Sequence, residues 1–209
     1  TLLDSKAFSE SAMNEVLDFI ERQPPSPARD RIRFILRFME AVGLRSSELL
    51  AAKLGDLQKE PEGWFMQVTG KGNRRRVVAI PGQAFNALQR YLAQRELGGI
   101  ESAPPEAPLL CSVSDAMESV TYQALYKHVR SWVSKAISQA GLPAKERMKL
   151  SRASTHWLRH TFGTRGVARG VPVDVLQAQM GHSSSAITTG LYGRAPLGRR
   201  ADELTKAFG

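Results

Sequence analysis

The sequence is poor in the features that staple or anchor a chain. It holds one cysteine, Cys111. That excludes an internal disulfide and fits a reducing cytoplasm. No apolar run approaches the ~18 residues of a membrane-spanning helix. The first residues carry Asp4, Lys6 and Glu10 and form no continuous apolar core, so no secretory signal is visible. No internal repeat or low-complexity tract interrupts the pattern. Acidic residues are also in short supply: 20 Asp and Glu face 29 Lys and Arg, a formal net charge of +9. A basic surface attracts polyanions and releases their counterions on binding.

What remains is the composition of a folded domain. The chain has 209 residues, 42% hydrophobic and 23% charged, enough for one large domain or two small ones. Apolar residues recur at helical spacing from Phe8 to Gln23 and from Asp30 to Val42, where Gly43 closes the helix. A short helix over Glu48 to Lys53 follows, which puts Arg45 in the junction between two buried helices. Gly63–Val68 and Arg76–Ile80 read as strands joined by the Gly- and Asn-rich turn Thr69–Arg75. Helices are expected again over Gln83–Glu96, from Ser119 or Thr121 to Ala140, from Ser154 or Thr155 to Ala168, over Pro172–Met180 and over Ala201–Phe208. Ala144–Ser151 is basic and reads as a solvated loop. Ser183–Leu191 reads as a short helical turn. The expected fold is mainly α with a small antiparallel β-sheet, an α+β class.

Several polar residues stand out against this frame. His156 and Arg159, at i and i+3, share a face at a helix start, where the helix N-terminus also favours a phosphate. Arg45 supplies a second guanidinium. Two arginine forks match the non-bridging oxygens of a phosphodiester and stabilise charge growing on them. Lys71 rides on the hairpin tip, where it could donate a proton to a leaving oxygen. Tyr192 supplies a phenol with an ordinary pKa of about 10, which a base or cationic field must activate as a nucleophile. Taken singly, each has an ordinary reading: Lys71 as a solvated turn residue, His156 as a helix cap, Tyr192 as packing. The hairpin cations Arg74, Arg75 and Arg76 and the downstream Lys145, Lys149 and Arg152 are candidate DNA contacts. Such contacts position a protein on DNA without specifying sequence. His128 reads as structural or exposed.

The order Arg45, Lys71, His156-x-x-Arg159, His182, Tyr192 resembles the catalytic domain of the tyrosine recombinases, the phage integrase family. The matching stretches are Gly43-Leu44-Arg45-x-x-Glu48-Leu49, Gly70-Lys71-Gly72-Asn73, Thr155-His156-x-Leu158-Arg159-His160-Thr161-Phe162, Gly181-His182-Ser183-Ser184 and Thr188-Thr189-x-x-Tyr192. They run through essentially the whole chain. Tyr192 lies ten positions after His182, slightly more than the family's common spacing.

The resemblance implies a site-specific recombinase acting on double-stranded DNA in integration, excision or resolution of a mobile element or chromosome dimer. Tyr192 would attack the scissile phosphate and form a 3′-phosphotyrosyl link. Arg45 and Arg159 would clamp the phosphate, His156 would act as general base or acid, Lys71 as general acid, and His182 would hydrogen-bond a phosphate oxygen. His160 would brace the helix carrying Arg159. No metal and no other cofactor is implied. A homotetramer on DNA, a monomer when isolated, and a cytoplasmic, nucleoid-associated location follow from the same resemblance. So does an N-terminal core-binding domain, for which the residues before Asp30 are too few. Either it has been removed or residues 1–209 are a catalytic-domain-only protein. For the terminal helix, packing on its own domain and docking on a neighbouring protomer both remain open. Two other functions also remain open: a non-catalytic, regulatory DNA-binding module, and a type IB topoisomerase that relaxes strands.

Overall fold

A computed structural model describes residues 6–181 and 197–209. The chain is organised around a helix that is buried on most of its circumference. This is α2 (Pro27–Val42), preceded by α1 (Glu10–Arg22). Ser9 caps α1, its hydroxyl accepting from Ala12 N at 3.1 Å, and Ser26 caps α2 from Arg29 N at 3.0 Å. Pro27 opens α2 earlier than apolar spacing predicts, because a proline in the first turn needs no amide partner. Ile32, Phe34, Ile35, Leu36, Phe38 and Met39 of α2 are all fully buried.

After α2 come α3 (Ser46–Ala51) and an antiparallel sheet of β1 (Leu57–Glu60), β2 (Gly63–Thr69) and β3 (Arg75–Ile80), in that spatial order. Leu57 lies opposite Met66, Trp64 opposite Ile80 and Thr69 opposite Arg75. β1 is a strand the apolar pattern does not announce, since Leu57-Gln58-Lys59-Glu60 contains a single apolar residue. Next are α4 (Gly82–Gln94), α5 (Tyr122–Gln139), α6 (Ala144–Leu150), α7 (Thr155–Ala168), α8 (Val173–Met180) and α9 (Leu197–Phe208). α2 packs against α4, α7, α1 and β3, so helices surround it and the sheet closes one edge. Phe34 stacks on Tyr91 of α4 with centroids 4.9 Å apart.

Residues 144–150 correct an expectation. They form a helix rather than a solvated loop, set after Pro143 and held against α5 through the buried Leu150. One apolar anchor in seven residues is too few for a periodic signal. α9 packs on its own domain: Leu204, Ala207 and Phe208 are buried, and Phe208 stacks on Phe162 at 5.2 Å. Among the described residues, no helix is long and apolar enough to cross a membrane.

Candidate active site

The site is assembled where α2 ends. Gly43 caps the helix in the left-handed conformation, with φ 81°. A Cβ there would lie 2.5 Å from the Phe162 ring, so α7 approaches this turn too closely for a side chain. Leu44 drops into the core and Arg45 follows as the cap of α3. The Arg45 amide donates to Glu48 Oε1 at 2.8 Å, which fixes the backbone under its side chain. That side chain stays 40% exposed, its Nη1 3.7 Å from Glu48 Oε2.

Glu48 is the pivot. It is 3% exposed, yet it faces guanidinium groups from α3, β3 and α7. Burial pushes its carboxyl up. Hydrogen bonds from the Arg76 side chain and the Arg45 amide, with the charges of both arginines, more than offset this and hold it below the usual carboxylate range. The ionised Glu48 leaves the set of Arg45, Arg76 and Arg159 with a net charge of about +2, enough to hold an oxyanion and to match added negative charge.

Arg159 is 6% exposed. Its Nη1 donates to Gly43 O at 2.7 Å and its Nη2 to Met180 O at 2.8 Å, and Nη1 lies 3.9 Å from Glu48 Oε1. Burial first, then Arg45, pulls its pKa down to about 10 against the opposing pull of Glu48. It therefore stays charged at neutral pH. One side chain thus ties the end of α2, the end of α8 and the first turn of α3 together.

His156 sits one helical turn before Arg159 and is exposed. Its partner is His160: the two Nε2 atoms are 3.0 Å apart and the rings meet edge to face. His160, expected to brace the helix, is exposed and makes this contact one turn further along α7. Burial, then His156, Arg159 and Lys6, lowers the His160 pKa, which keeps one ring neutral so that one nitrogen can donate and the other accept.

Lys71 lies at the tip between β2 and β3 and is exposed with Arg74 and Arg75. Gly70 N donates to Arg74 O at 2.7 Å, and Gly72 and Asn73 take positive φ of 71° and 61° to turn the chain. A Cβ on Gly70 would come within 2.9 Å of Glu48 Oε2, so the hairpin base rests on the pivot of the arginine cluster. Arg76 departs from its expected place among the outward hairpin cations. Its side chain is 13% exposed, both Nη atoms donate to Glu48 (Nη2 to Oε1 at 3.0 Å), and Nε donates to Gln179 O at 3.0 Å. Alternation along β3 carried the signal, because Arg76 shares a strand face with Val78 and Ile80.

Gln179, a residue the sequence did not single out, is fully buried. Its side chain bonds Ala79 N and O, and Val42 O at 3.1 Å. The last turn of α8 is thereby tied to α2 and β3, and the Arg159–Met180 bond ties it to α7. His182 and Tyr192 lie outside the described residues. The described ends of that stretch, α8 and α9, pack on each other and are joined by the Arg199–Asp174 ion pair. Lys145 and Arg152 are exposed on and beside α6, with Lys149 half-buried. His128 is half-buried, and its pKa is pulled down to about 4 by burial, then by Arg31 and Lys135. Among the described residues, no group of three His, Cys, Asp or Glu could hold a metal ion.

Three guanidinium groups gather on one buried carboxylate, beside a lysine-tipped hairpin, in a helical domain. The chain belongs to the phage integrase family, whose model matches residues 6–196. It is 32% identical over 162 residues to the tyrosine recombinase XerD of Lacticaseibacillus casei, covering 78% of this chain and 50% of that protein. It is 30% identical over 158 residues to the tyrosine recombinase XerC of Myxococcus xanthus, covering 76% and 48%. The chain therefore spans about half the length of the curated relatives it matches. Its fold is that of the XerH site-specific recombinase in a pre-cleavage complex with its difH substrate, at TM-score 0.64 and 23% identity over 90% of this chain and 50% of that one. It is also that of the Tn1549 transposon integrase in complex with circular intermediate DNA, at TM-score 0.62 and 21% identity over 95% and 65%.

Proposed function

We propose that this domain cleaves and rejoins double-stranded DNA as a site-specific tyrosine recombinase. The observation that carries the reading is the convergence of Arg45 and Arg159 on Glu48, at the base of the Lys71 hairpin and at the exit of α8. In this reading the two arginines hold the non-bridging oxygens of the scissile phosphate. The Tyr192 oxygen bonds to phosphorus, the bond from phosphorus to the 5′ oxygen breaks, and Lys71 protonates that oxygen. His156 takes the phenolic proton, and His182 hydrogen-bonds a phosphate oxygen. Rejoining reverses these steps with a 5′-hydroxyl as nucleophile, so the phosphotyrosyl link conserves the bond energy. The net charge of the cluster suits a transition state more negative than the diester it comes from.

Arg74 and Arg75 on the hairpin, with Lys145, Lys149 and Arg152 around α6, are the proposed backbone contacts. Assembly as a homotetramer on DNA, a monomeric resting state and a cytoplasmic, nucleoid-associated location belong to the same reading, as do integration, excision or resolution of a mobile element or chromosome dimer.

The test is covalent trapping on a pool of nicked suicide duplexes of randomised sequence. The recombinase reading predicts a protein–DNA adduct that survives denaturation, and sequencing the trapped DNA recovers the preferred site. Binding without any adduct would instead mark a regulatory DNA-binding module. Relaxation of supercoiled DNA without partner exchange would mark a type IB topoisomerase. The Gly181-His182-Ser183-Ser184 stretch favours the recombinase.

A further inference from the structure

The hairpin carries three consecutive arginines, and one of them does not face outward. Arg76 joins the Glu48 pivot to the last turn of α8 with hydrogen bonds at both ends: both Nη atoms donate to Glu48, and Nε donates to Gln179 O. Its strand also carries the hairpin whose Gly70 backbone rests on Glu48. Gly181, the last described residue before position 182, would place a Cβ 2.9 Å from the Arg76 guanidinium and needs φ 71°, so glycine alone lets the chain pass there. We propose that Arg76 is a positioning residue for strand cleavage. It holds Glu48 in the orientation that sets Arg45 and Arg159, and it fixes the point from which the segment bearing His182 and Tyr192 departs.

The planar fork is what the place requires. A guanidinium supplies parallel donors to one carboxylate while its Nε reaches a third acceptor; an ammonium on a flexible stem cannot meet both at once. The charges facing Glu48 are Arg45 at the start of its own helix, Arg76 from β3 and Arg159 from α7. Removing Arg76 leaves a buried carboxylate short of its closest compensating partner, so Glu48 takes up a proton at higher pH than in the wild type.

The proposal rests on the recombinase reading, and its test separates the two. Adduct formation on the suicide substrate is measured in single turnover at saturating DNA, with DNA affinity measured separately by fluorescence anisotropy, for wild type, Arg76→Ala and Arg76→Lys. Expected for Arg76→Ala are cleavage slowed ~100-fold, affinity within about threefold of wild type, and an acid limb of the pH–rate profile displaced to higher pH. Arg76→Lys restores part of the rate, to ~10-fold below wild type. Cleavage equal to wild type in both variants overturns the proposal. So does a defect confined to affinity and abolished by saturating DNA, which would make Arg76 a DNA contact. No adduct from the wild type itself overturns the underlying recombinase reading instead.

Discussion

Arg159 donates through Nη1 to the carbonyl of Gly43 at 2.7 Å, across 116 positions of sequence. The bond joins a phosphate-binding candidate to the turn that launches Arg45, so the two guanidinium groups share one piece of backbone. Their separation is a property of the fold, set where α7 meets the end of α2.

Gly43 is therefore predicted to be intolerant of any side chain. Its φ of 81° strains other residues, and a Cβ would meet the Phe162 ring at 2.5 Å. Gly43→Ala is expected to cost ~2–4 kcal/mol, from backbone strain and overpacking together. Urea unfolding of both proteins measures it. A loss below ~0.5 kcal/mol would mean the turn can relax without disturbing α7.

The exposed hairpin cations give a prediction about binding. Arg74→Glu with Arg75→Glu should weaken affinity for all duplexes alike, because phosphate contacts carry no base information. If each arginine neutralises one phosphate, the slope of log affinity against log salt becomes shallower by about two. Titration at several salt concentrations checks this, and an unchanged slope would remove both residues from the interface.

Much of the site is legible in the sequence because its chemistry is written in local motifs. Arg45 and Glu48 lie on one short helix, His156 and Arg159 on another, and Lys71 sits in a turn rich in glycine. The inward course of Arg76 is harder to see, since it follows two arginines that do point outward, and a run of like charge reads as one solvated patch. Its strand alternation is the only local clue. Gln179 gives none at all, because its partners Val42 and Ala79 are more than 90 residues away. β1 and α6 escape notice for a related reason: with one apolar anchor each, tertiary contacts rather than periodicity make them regular.

His128 sets a pH dependence of stability that has nothing to do with DNA. Its folded pKa of about 4 lies below the ordinary 6.5, so the unfolded chain binds the proton more tightly. Stability from this residue is complete above pH 6.5 and is lost as pH falls toward 4. The Nε2 atom is buried without a hydrogen-bond partner among the described residues, which fits a neutral ring. After discounting for partial exposure, the loss is ~2 kcal/mol. His128→Asn should flatten the stability curve by that amount between pH 6.5 and 4. Parallel curves for the two proteins would contradict this.

The proposed reaction turns on attack by Tyr192 on a phosphate held by Arg45 and Arg159. The most direct measurement compares wild type and Tyr192→Phe on the same nicked suicide duplex, followed by proteolysis and mass spectrometry of the DNA-linked peptide. Attack by Tyr192 gives an adduct in the wild type, mapped to Tyr192, and none in the variant. Undiminished adduct from Tyr192→Phe, or a linkage mapped to another residue, would contradict it.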